Sequence, residues 1–173
     1  MKAGEFKVTK DNTKKFLDTM KYLAINEVYV GVPQEDNKRK EDNNDGEAAK
    51  INNATIGYIN ENGSDLANIP PRPHLVPGVR AVKEEISEEF KKSAEKAFTN
   101  IAAAMVHLNR AGIIAVRSVK QIITSQEGFE EISARTAAAR KGEGFKGTKA
   151  LIVTGQYRNS ITHVIGGKVK GQD

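Results

Sequence analysis

The side chains that could perform acid–base or metal chemistry are few and far apart in this sequence. His74, His107 and His163 are its three histidines. None of them has a second histidine or a carboxylate at metal-ligand spacing on an evident shared face, and a lone histidine in a helical run, such as His107, is typical of surface or core packing. The chain has no cysteine, which excludes disulfides, thiolate metal sites and a cysteine nucleophile. We therefore predict no metal and no cofactor.

Motifs for phosphate binding and nucleophilic catalysis are also missing from the sequence. It contains neither a Gly-x-x-x-x-Gly-Lys-Ser/Thr loop nor a Gly-x-Ser-x-Gly elbow. Gly142, Gly144 and Gly147 follow no predicted strand, so their spacing favours a flexible loop over a phosphate cradle. The adjacent carboxylates Glu84-Glu85 and Glu88-Glu89 are predicted to lie on a solvated helix face. The sequence thus predicts a protein that is not an enzyme.

A basic stretch at 135–149 is the remaining candidate for a binding function. It has five basic residues against one acidic residue, Glu143. Such a stretch can contact DNA phosphates, or it can order against an acidic partner subunit, and both interpretations stay open. Single-stranded nucleic acid would favour interleaved aromatic side chains, and only Phe145 is available. The residues that would contact DNA are Arg135, Arg140, Lys141, Lys146 and Lys149.

Composition bounds the class of protein. The 173 residues are 38% hydrophobic and 6% aromatic, without tryptophan, and the formal net charge is +5. We expect one domain over residues 1–173 with a lean core. A lean core is typical of a subunit that gains stability from its neighbours, and a small helical domain packed with Ala, Ile and Val fits equally well. No apolar run reaches the roughly 18 residues of a membrane helix and no segment resembles an export signal, so we expect no membrane partner.

The first third of the chain predicts two helices, a strand and a flexible loop. A first helix, capped by Asp11 or Asn12, follows from apolar residues at helical spacing. Residues 28–32 are rich in β-branched side chains and predict a strand, whereas 34–47 lack large apolar side chains and predict a flexible charged loop. A second helix, 48–62, is expected to stop at Gly63. The predicted apolar stripes are Phe16, Leu17, Met20 and Leu23 in the first helix, and Ile51, Ala54, Thr55, Tyr58 and Ile59 in the second.

The middle of the chain combines a proline-rich segment with a long helical pattern. Four prolines between 70 and 77 predict a stiff, extended segment. From Gly78 to Thr124 no proline occurs, and apolar residues recur every three or four positions. A single helix over this span would be about 70 Å long, whereas a domain of this size has a radius of gyration of roughly 16 Å. We therefore predict a break near Asn100 or within 109–112, giving a helical hairpin.

The last third predicts loops, a short helix and a hairpin. Residues 125–149 are predicted as a loop, of which 135–149 is the basic, glycine-rich part. Residues 151–153 are predicted to be extended, and Thr154 to cap the helical turn that follows. A β-hairpin with a two-glycine turn is predicted over 161–170. All the elements together predict an α+β fold, with a small, mostly antiparallel sheet packed against helices and a long helix or helical hairpin in the middle of the chain.

Two sequence motifs resemble a known family. Residues 56–64, Ile-Gly-Tyr-Ile-Asn-Glu-Asn-Gly-Ser, and 69–75, Ile-Pro-Pro-Arg-Pro-His-Leu, resemble the pattern (A/G)-Y-x-(H/N)-E-x-G-(T/S) … I-P-x-R-P-F-L of phage virion-morphogenesis proteins, which include neck and tail-completion proteins. Thr136 with Arg140, followed by 150–161, Ala-Leu-Ile-Val-Thr-Gly-Gln-Tyr-Arg-Asn-Ser-Ile, resembles T-x-x-x-R … P-L-I-x-T-G-Q-L-R-N-S-I of the same family. The motifs frame most of the chain.

The chain departs from that family pattern at four positions and in the order of its motifs. Asn60 stands where His is common, His74 where Phe is common, Tyr157 where Leu is common, and Ala150 where Pro is usual. In some relatives the Thr-Gly motif precedes the Pro-Arg-Pro motif, whereas here it follows. The resemblance therefore leaves open whether the station in the particle is the neck, the tail-completion site or the tail terminator.

The resemblance implies a structural role in the virion. Proteins of this kind have a small sheet against helices and resemble ring-forming subunits that join the tail tube to the head connector. The implied assembly is a ring of identical copies, a hexamer or dodecamer, formed in the host cytoplasm. Its implied partners are connector or stopper proteins, tail-terminator or tail-tube proteins, and packaged DNA in the channel. The residues that the motifs assign to structure and assembly are Glu61, Gly63, Pro70, Arg72, Pro73, Thr154, Gly155, Arg158 and Ser160.

One ionic contact is predicted within the first motif. Glu61 lies at the end of a predicted helix, and Arg72 lies in the proline-rich segment that follows. An arginine fork can bind a carboxylate through two parallel hydrogen bonds. We hypothesise that Glu61 and Arg72 pair and clamp the proline-rich segment onto the helix end. The alternative is that both side chains are solvated, in which case the pair contributes less than about 1 kcal/mol.

Overall fold

The computed structural model describes residues 12–36 and 51–166, and it confirms the predicted α+β fold. One small sheet packs against helices, as the sequence patterns indicated. In chain order the elements are α1 (Thr13–Ile25), β1 (Glu27–Gly31), a 3₁₀ turn (Gln34–Asp36), α2 (Asn53–Asn62), α3 (Leu75–Ala81), α4 (Lys83–Ala97), α5 (Ile101–Ser125), α6 (Ala134–Gly142), α7 (Gln156–Ser160) and β2 (Thr162–Gly166). Within these two ranges no helix is both long and apolar enough to cross a membrane.

The helical hairpin predicted for the middle of the chain is formed by α4 and α5. The chain turns at 98–100, and the Asn100 side chain caps α5 by accepting a hydrogen bond from the Ala103 N–H at 3.2 Å. Ser93 of α4 donates to the Ala104 carbonyl of α5 at 2.9 Å, which ties the two helices together. With 25 residues, α5 is about 38 Å long and forms the spine of the fold.

The sheet has two antiparallel strands that come from opposite ends of the described chain. Tyr29 of β1 lies opposite Val164 of β2. The sheet packs on α5, where Val119 and Ile123 form the buried core together with Tyr157 and Ile161. β2 confirms the first strand of the predicted hairpin, but its predicted partner strand at 168–170 lies outside the described residues. The same holds for residues 37–47 of the charged loop.

Three local predictions, two of them in the second half of the chain, are wrong. The basic loop at 135–149 begins as a helix, because Ser133 caps α6 and accepts the Thr136 N–H at 3.2 Å. Leu151 adopts a left-handed conformation with φ of 60°, so 151–153 turn rather than extend. Pro77 lies in the first turn of α3, where a proline removes no helical hydrogen bond, so the extended segment ends before Leu75.

The predicted apolar stripes of α1 and α2 do not face the core. In α2 the buried residues are Asn53 and Gly57, whereas Tyr58 of the predicted stripe is 71% exposed. Gly57 is buried because the Tyr157 ring lies against it, and a Cβ at Gly57 would come within 2.8 Å of the Tyr157 hydroxyl. In α1 only Thr19 is buried. The spacing predicted the helices, but distant partners select the buried side.

The close packing of α3 against α5 generates a testable prediction. A Cβ at Gly78 would lie 2.7 Å from the Val119 Cα, which is a backbone atom of the spine. We expect Gly78→Ala to lower the free energy of unfolding by roughly 1–3 kcal/mol, because the backbone must shift to make room. Gly142→Ala is the matched control, since nothing lies within 4 Å of that position. Urea denaturation of both variants measures the effect, and an equal stability of the two variants would contradict it.

Candidate functional site

The two motifs, far apart in sequence, pack together in the folded chain. The His74 Nε2 is hydrogen-bonded to the Tyr157 hydroxyl, and these residues are 83 positions apart. Their rings meet edge to face with centroids 5.5 Å apart. His74 has no exposed surface and Tyr157 is 4% exposed. We call Glu61, Arg72, His74 and Tyr157 the motif core.

Glu61 caps the start of α3 from the end of α2. Its carboxylate accepts hydrogen bonds from the N–H groups of His74 at 2.7 Å, Leu75 at 2.9 Å and Val76 at 3.0 Å. The first N–H groups of a helix have no partner within the helix, and the positive end of its dipole favours a carboxylate. Burial acts to raise the pKa of Glu61, but the three N–H groups and the nearby His74 outweigh it, so the pKa is lowered.

The predicted ionic pair between Glu61 and Arg72 is wrong, although Glu61 does hold the proline-rich segment. The Arg72 Nε donates to the Glu130 carbonyl at 3.1 Å, and the Arg72 backbone N–H donates to the Asn60 carbonyl at 2.5 Å. Along 71–74 the exposed and buried residues alternate, so Arg72 and His74 are both buried. The donors that reach Glu61 are backbone groups, which sequence spacing does not reveal.

Two hydrogen-bond partners, one acceptor and one donor, hold the His74 ring in its neutral form. Its Nδ1 lies 2.7 Å from the Arg72 carbonyl oxygen, which can only accept, so Nδ1 carries the proton. The Nε2 therefore accepts from the Tyr157 hydroxyl. Burial lowers the pKa of His74, and this outweighs the opposing effects of the Arg72 carbonyl and Glu61. Burial, together with Glu61, raises the pKa of Tyr157 well above its ordinary value. Both rings are therefore uncharged at neutral pH.

Two motif glycines, Gly63 and Gly155, have positive φ values. Gly63 ends α2 with φ of 78°, as predicted, and a Cβ there would lie 3.0 Å from the Pro71 nitrogen. Gly155, with φ of 75°, takes the cap position of α7 that was predicted for Thr154. The Thr154 hydroxyl accepts only a long hydrogen bond of 3.4 Å from the Gln156 N–H. Both glycines permit the tight turns that bring the motif segments together.

The other motif residues are divided between the interior and the surface. Ser160 is buried and donates to the Tyr157 carbonyl at 2.7 Å. The Arg158 Nε donates to the Thr124 hydroxyl of α5 at 3.0 Å. Pro70 is half-buried and Pro73 is exposed. The motifs therefore combine a buried framework with a few residues at its rim.

The five basic residues proposed for DNA contact do not form one free surface. The Arg140 Nη1 donates to the Lys149 carbonyl at 2.8 Å, and the Lys149 Nζ donates to the Thr124 carbonyl at 2.9 Å. These two side chains therefore hold residues 140–149 against the end of α5. Arg135, Lys141 and Lys146 are exposed.

Two buried polar contacts were not found by sequence reasoning. Glu89, predicted to be solvated, is 9% exposed. Its carboxylate lies 2.7 Å from the His107 Nδ1 and 2.8 Å from the Lys92 Nζ. Gln126 binds both backbone groups of Ala150, accepting at 2.6 Å and donating at 3.0 Å. The contact between Glu89 and His107 could have been predicted from the hairpin break at Asn100, because that break folds α4 back on α5.

The motif core has the composition of a catalytic site without its accessibility. A glutamate, a histidine and a tyrosine lie close together, with the His74 Nδ1 3.2 Å from the Glu61 carboxylate and the His74 Nε2 hydrogen-bonded to the Tyr157 hydroxyl. The His74 side chain is fully buried, so no substrate can reach its ring. No group of three or more His, Asp or Glu side chains that could hold a metal ion occurs in 12–36 or 51–166. The arrangement joins three chain segments and fixes their geometry.

No protein-family model, curated protein or solved structure matches this chain. The resemblance to phage neck proteins drawn from the sequence therefore rests on the two motifs alone.

The capping role of Glu61 predicts a pH-dependent loss of stability. We expect Glu61→Gln to lower the free energy of unfolding at neutral pH by roughly 1–3 kcal/mol, because an amide oxygen is a weaker acceptor for the three N–H groups than a carboxylate. The folded-state pKa of Glu61 is below its ordinary value of 4.5. The carboxylate therefore contributes fully above that value, and its contribution is lost as the pH falls through the folded-state pKa.

Urea denaturation between about pH 7 and pH 3 measures this loss of stability. The difference between the parent and Glu61→Gln should shrink as the pH falls. Glu127→Gln, at an exposed position, is the control and should leave stability nearly unchanged. A difference that stays constant over the whole pH range would exclude the proposed role of the Glu61 charge.

The contact between His74 and Tyr157 predicts a coupled pair. We expect His74→Phe and Tyr157→Phe each to reduce the free energy of unfolding by roughly 1–3 kcal/mol, because each leaves a buried polar atom without its partner. The double variant should lose less than the sum of the two by about 1 kcal/mol or more. Urea denaturation of the four chains completes the double-mutant cycle. Additive losses would show that the two side chains do not stabilise each other.

Proposed function

We propose that this protein is a structural subunit of a phage-type particle at the head–tail junction, where a closed ring of identical copies joins the tail to the head connector. It would act by fitting against its neighbours and not by catalysing a reaction. The residues that form the motif core would give each subunit its rigid shape. The partners would be connector or stopper proteins on one side and tail proteins on the other.

The observation that carries this proposal is the contact between His74 and Tyr157. These are two of the positions where the chain departs from the family pattern, which has Phe and Leu there. In the folded chain the two departures touch each other, so a hydrogen-bonded polar pair stands where the family pattern would place two apolar side chains. If the two stretches resembled the family only by chance, there would be no reason to expect the substituted residues His74 and Tyr157 to be in contact. This favours a real relationship with neck proteins.

Uncovered apolar surface on α1 also supports an assembly role. Phe16, Leu17 and Met20 are each about half exposed, at 52%, 51% and 46%. The Phe16 ring stacks on Phe98 of the hairpin turn, which is 43% exposed. A cluster of exposed large apolar side chains is typical of a surface that another subunit covers. A self-contained monomer would be expected to bury this side of α1.

DNA binding through residues 135–149 is the alternative function, and the contacts of Arg140 and Lys149 weaken it. Both side chains are engaged within the chain, which leaves Arg135, Lys141 and Lys146 exposed. Phe145, the one aromatic residue of the stretch, is half-buried. Three surface cations without a stacking platform are a weak basis for nucleic-acid binding.

The proposed function is tested in a phage that carries this reading frame. The chain should be found by mass spectrometry in purified particles, and an amber codon in the reading frame should give filled heads without tails together with free tails of normal length. Electron microscopy of the lysate counts these species. Absence of the chain from purified particles would refute the proposal.

Binding of duplex DNA separates the two functions. The DNA-binding alternative predicts that affinity falls steeply with salt, and that Lys141→Ala with Lys146→Ala reduces both the affinity and the salt slope. We expect the purified chain to show only weak binding that these substitutions barely change. Fluorescence anisotropy with labelled duplex over a salt series measures it. A strong dependence on the two lysines would favour the DNA-binding alternative.

A further inference from the structure

A groove with basic walls lies along the outer side of α5. Its volume is about 570 Å³, and it runs between α5, α7 and the start of β2. Ile113 and Val116 contribute apolar surface, and Arg117, Lys120 and Arg158 contribute positive charge. We call these five residues the basic groove. It combines an apolar surface with cations, which suits an acidic protein segment better than a bare phosphate backbone.

The cations of the basic groove lack ionic partners. In residues 12–36 and 51–166 the close contacts between acidic and basic side chains involve Glu61 and Glu89 only, so Arg117, Lys120 and Arg158 pair with no carboxylate there. Burial lowers the pKa of Lys120 and the nearby Arg158 lowers it further, while Asp36 acts in the opposite direction without pairing. Like charges are therefore crowded in the groove, and a carboxylate bound there would relieve their repulsion.

A complementary surface occurs on the same chain. Glu84, Glu85 and Glu88 are exposed in the first half of α4, and none of them forms an ion pair within the described part of the chain. We call these three residues the acidic ridge. Lys91 follows one turn later, so the negative stretch from Glu84 to Glu88 covers little more than one turn of helix, about 6 Å. That length fits within the part of α5 from Ile113 to Thr124 that lines the groove, which spans about 17 Å.

The ridge and the groove of one chain face in different directions. α4 packs on the side of α5 that carries Ala104, where Ser93 bonds to the Ala104 carbonyl, and Ala104 and Ala115 are buried. Ile113 and Arg117 lie on the opposite side of α5, since helical residues recur every 3.6 positions. The ridge therefore cannot reach the groove of its own chain. It can reach the groove of another copy, in a head-to-tail contact of the kind that closes into a ring.

We propose that the acidic ridge of one copy docks into the basic groove of the next, and that this contact joins neighbouring subunits. The inference rests on the proposed ring function and specifies its subunit interface. Carboxylates of Glu84, Glu85 and Glu88 meet the cations of the groove, and the apolar residues of the groove are covered by the partner helix. Because the two surfaces differ, each copy offers one of each, and the contact can repeat around a ring.

Charge reversal tests the contact without changing the core. The groove variant is Arg117→Glu with Lys120→Glu, and the ridge variant is Glu85→Lys with Glu88→Lys. Each variant alone should weaken self-association at low salt at least tenfold, because like charges then face each other. A chain that carries all four substitutions should associate as the parent does, since the charges are exchanged. The two variants mixed in equal amounts should also associate. Sedimentation velocity over a concentration series measures these affinities.

A matched control separates the contact from general charge effects. Lys141→Glu with Lys146→Glu changes the net charge as the groove variant does, but at exposed positions outside both surfaces. It should leave self-association close to that of the parent. Thermal melting followed by circular dichroism checks that every variant is folded. Raising the salt concentration should weaken association of the parent, because rim charges are screened.

Three results would overturn the inference. The first is a parent chain that remains monomeric at low salt and high concentration. The second is self-association that is unchanged in the groove and ridge variants, or is not restored by the four exchanged charges in a folded chain. The third is loss of duplex DNA binding in the groove variant without any change in self-association. If the chain is present in particles and self-association ignores the charges, the contact is wrong and the proposed function stands. If the chain is absent from particles, the proposed function fails.

Discussion

The proline-rich segment between α2 and α3 depends on a complete set of partners for its few backbone donors. Three of the residues from 70 to 73 are prolines and have no N–H. The N–H of Arg72 bonds to the Asn60 carbonyl, and those of His74, Leu75 and Val76 all reach Glu61. Every backbone donor from 70 to 76 is therefore satisfied by the end of α2. The Glu61 carboxylate thereby fixes where α3 begins, and hence the position of the hairpin of α4 and α5 that follows it.

This constraint links elements that are distant in sequence. The extended segment from 71 to 74 turns Arg72 and His74 inward, and His74 then meets Tyr157 of α7. The chain leaves α7 through Ile161 into β2, which pairs with β1 and packs on the α5 spine. The interior is uncharged at the His74–Tyr157 contact. Unpaired charges lie at the surface, as a crowded basic groove on one side of the hairpin and an acidic ridge on the other.

Much of the local structure follows from the sequence alone, because its causes act within a few residues. Asn100 caps α5 with its own side chain, Gly63 ends α2 with a positive φ, and β-branched residues favour the strand at β1. These effects need only neighbouring atoms, so the end of α2, the hairpin break and the α+β class could be predicted, whereas the start of α2 at Asn53 and the break between α3 and α4 were not. α6 was missed because the signal of its cap, Ser133, lies inside a stretch whose glycines and charges favour a loop.

Tertiary structure decided which side of each element is buried and which groups bond across the fold. The apolar stripe of α2 faces outward because the Tyr157 ring occupies the space beside Gly57, a contact formed between residues 100 positions apart. Arg72 does not pair with Glu61, because three backbone N–H groups already donate to that carboxylate. The positions of these groups depend on the path of the chain. Glu89 is buried only because α4 folds back on His107. The sequence by itself predicted α1, the helical hairpin and both strands, whose signals are local, but not α6 or the turn at 151–153. Only the tertiary structure decided which residues are buried and which groups bond across the fold, because burial depends on atoms from residues that are distant in sequence.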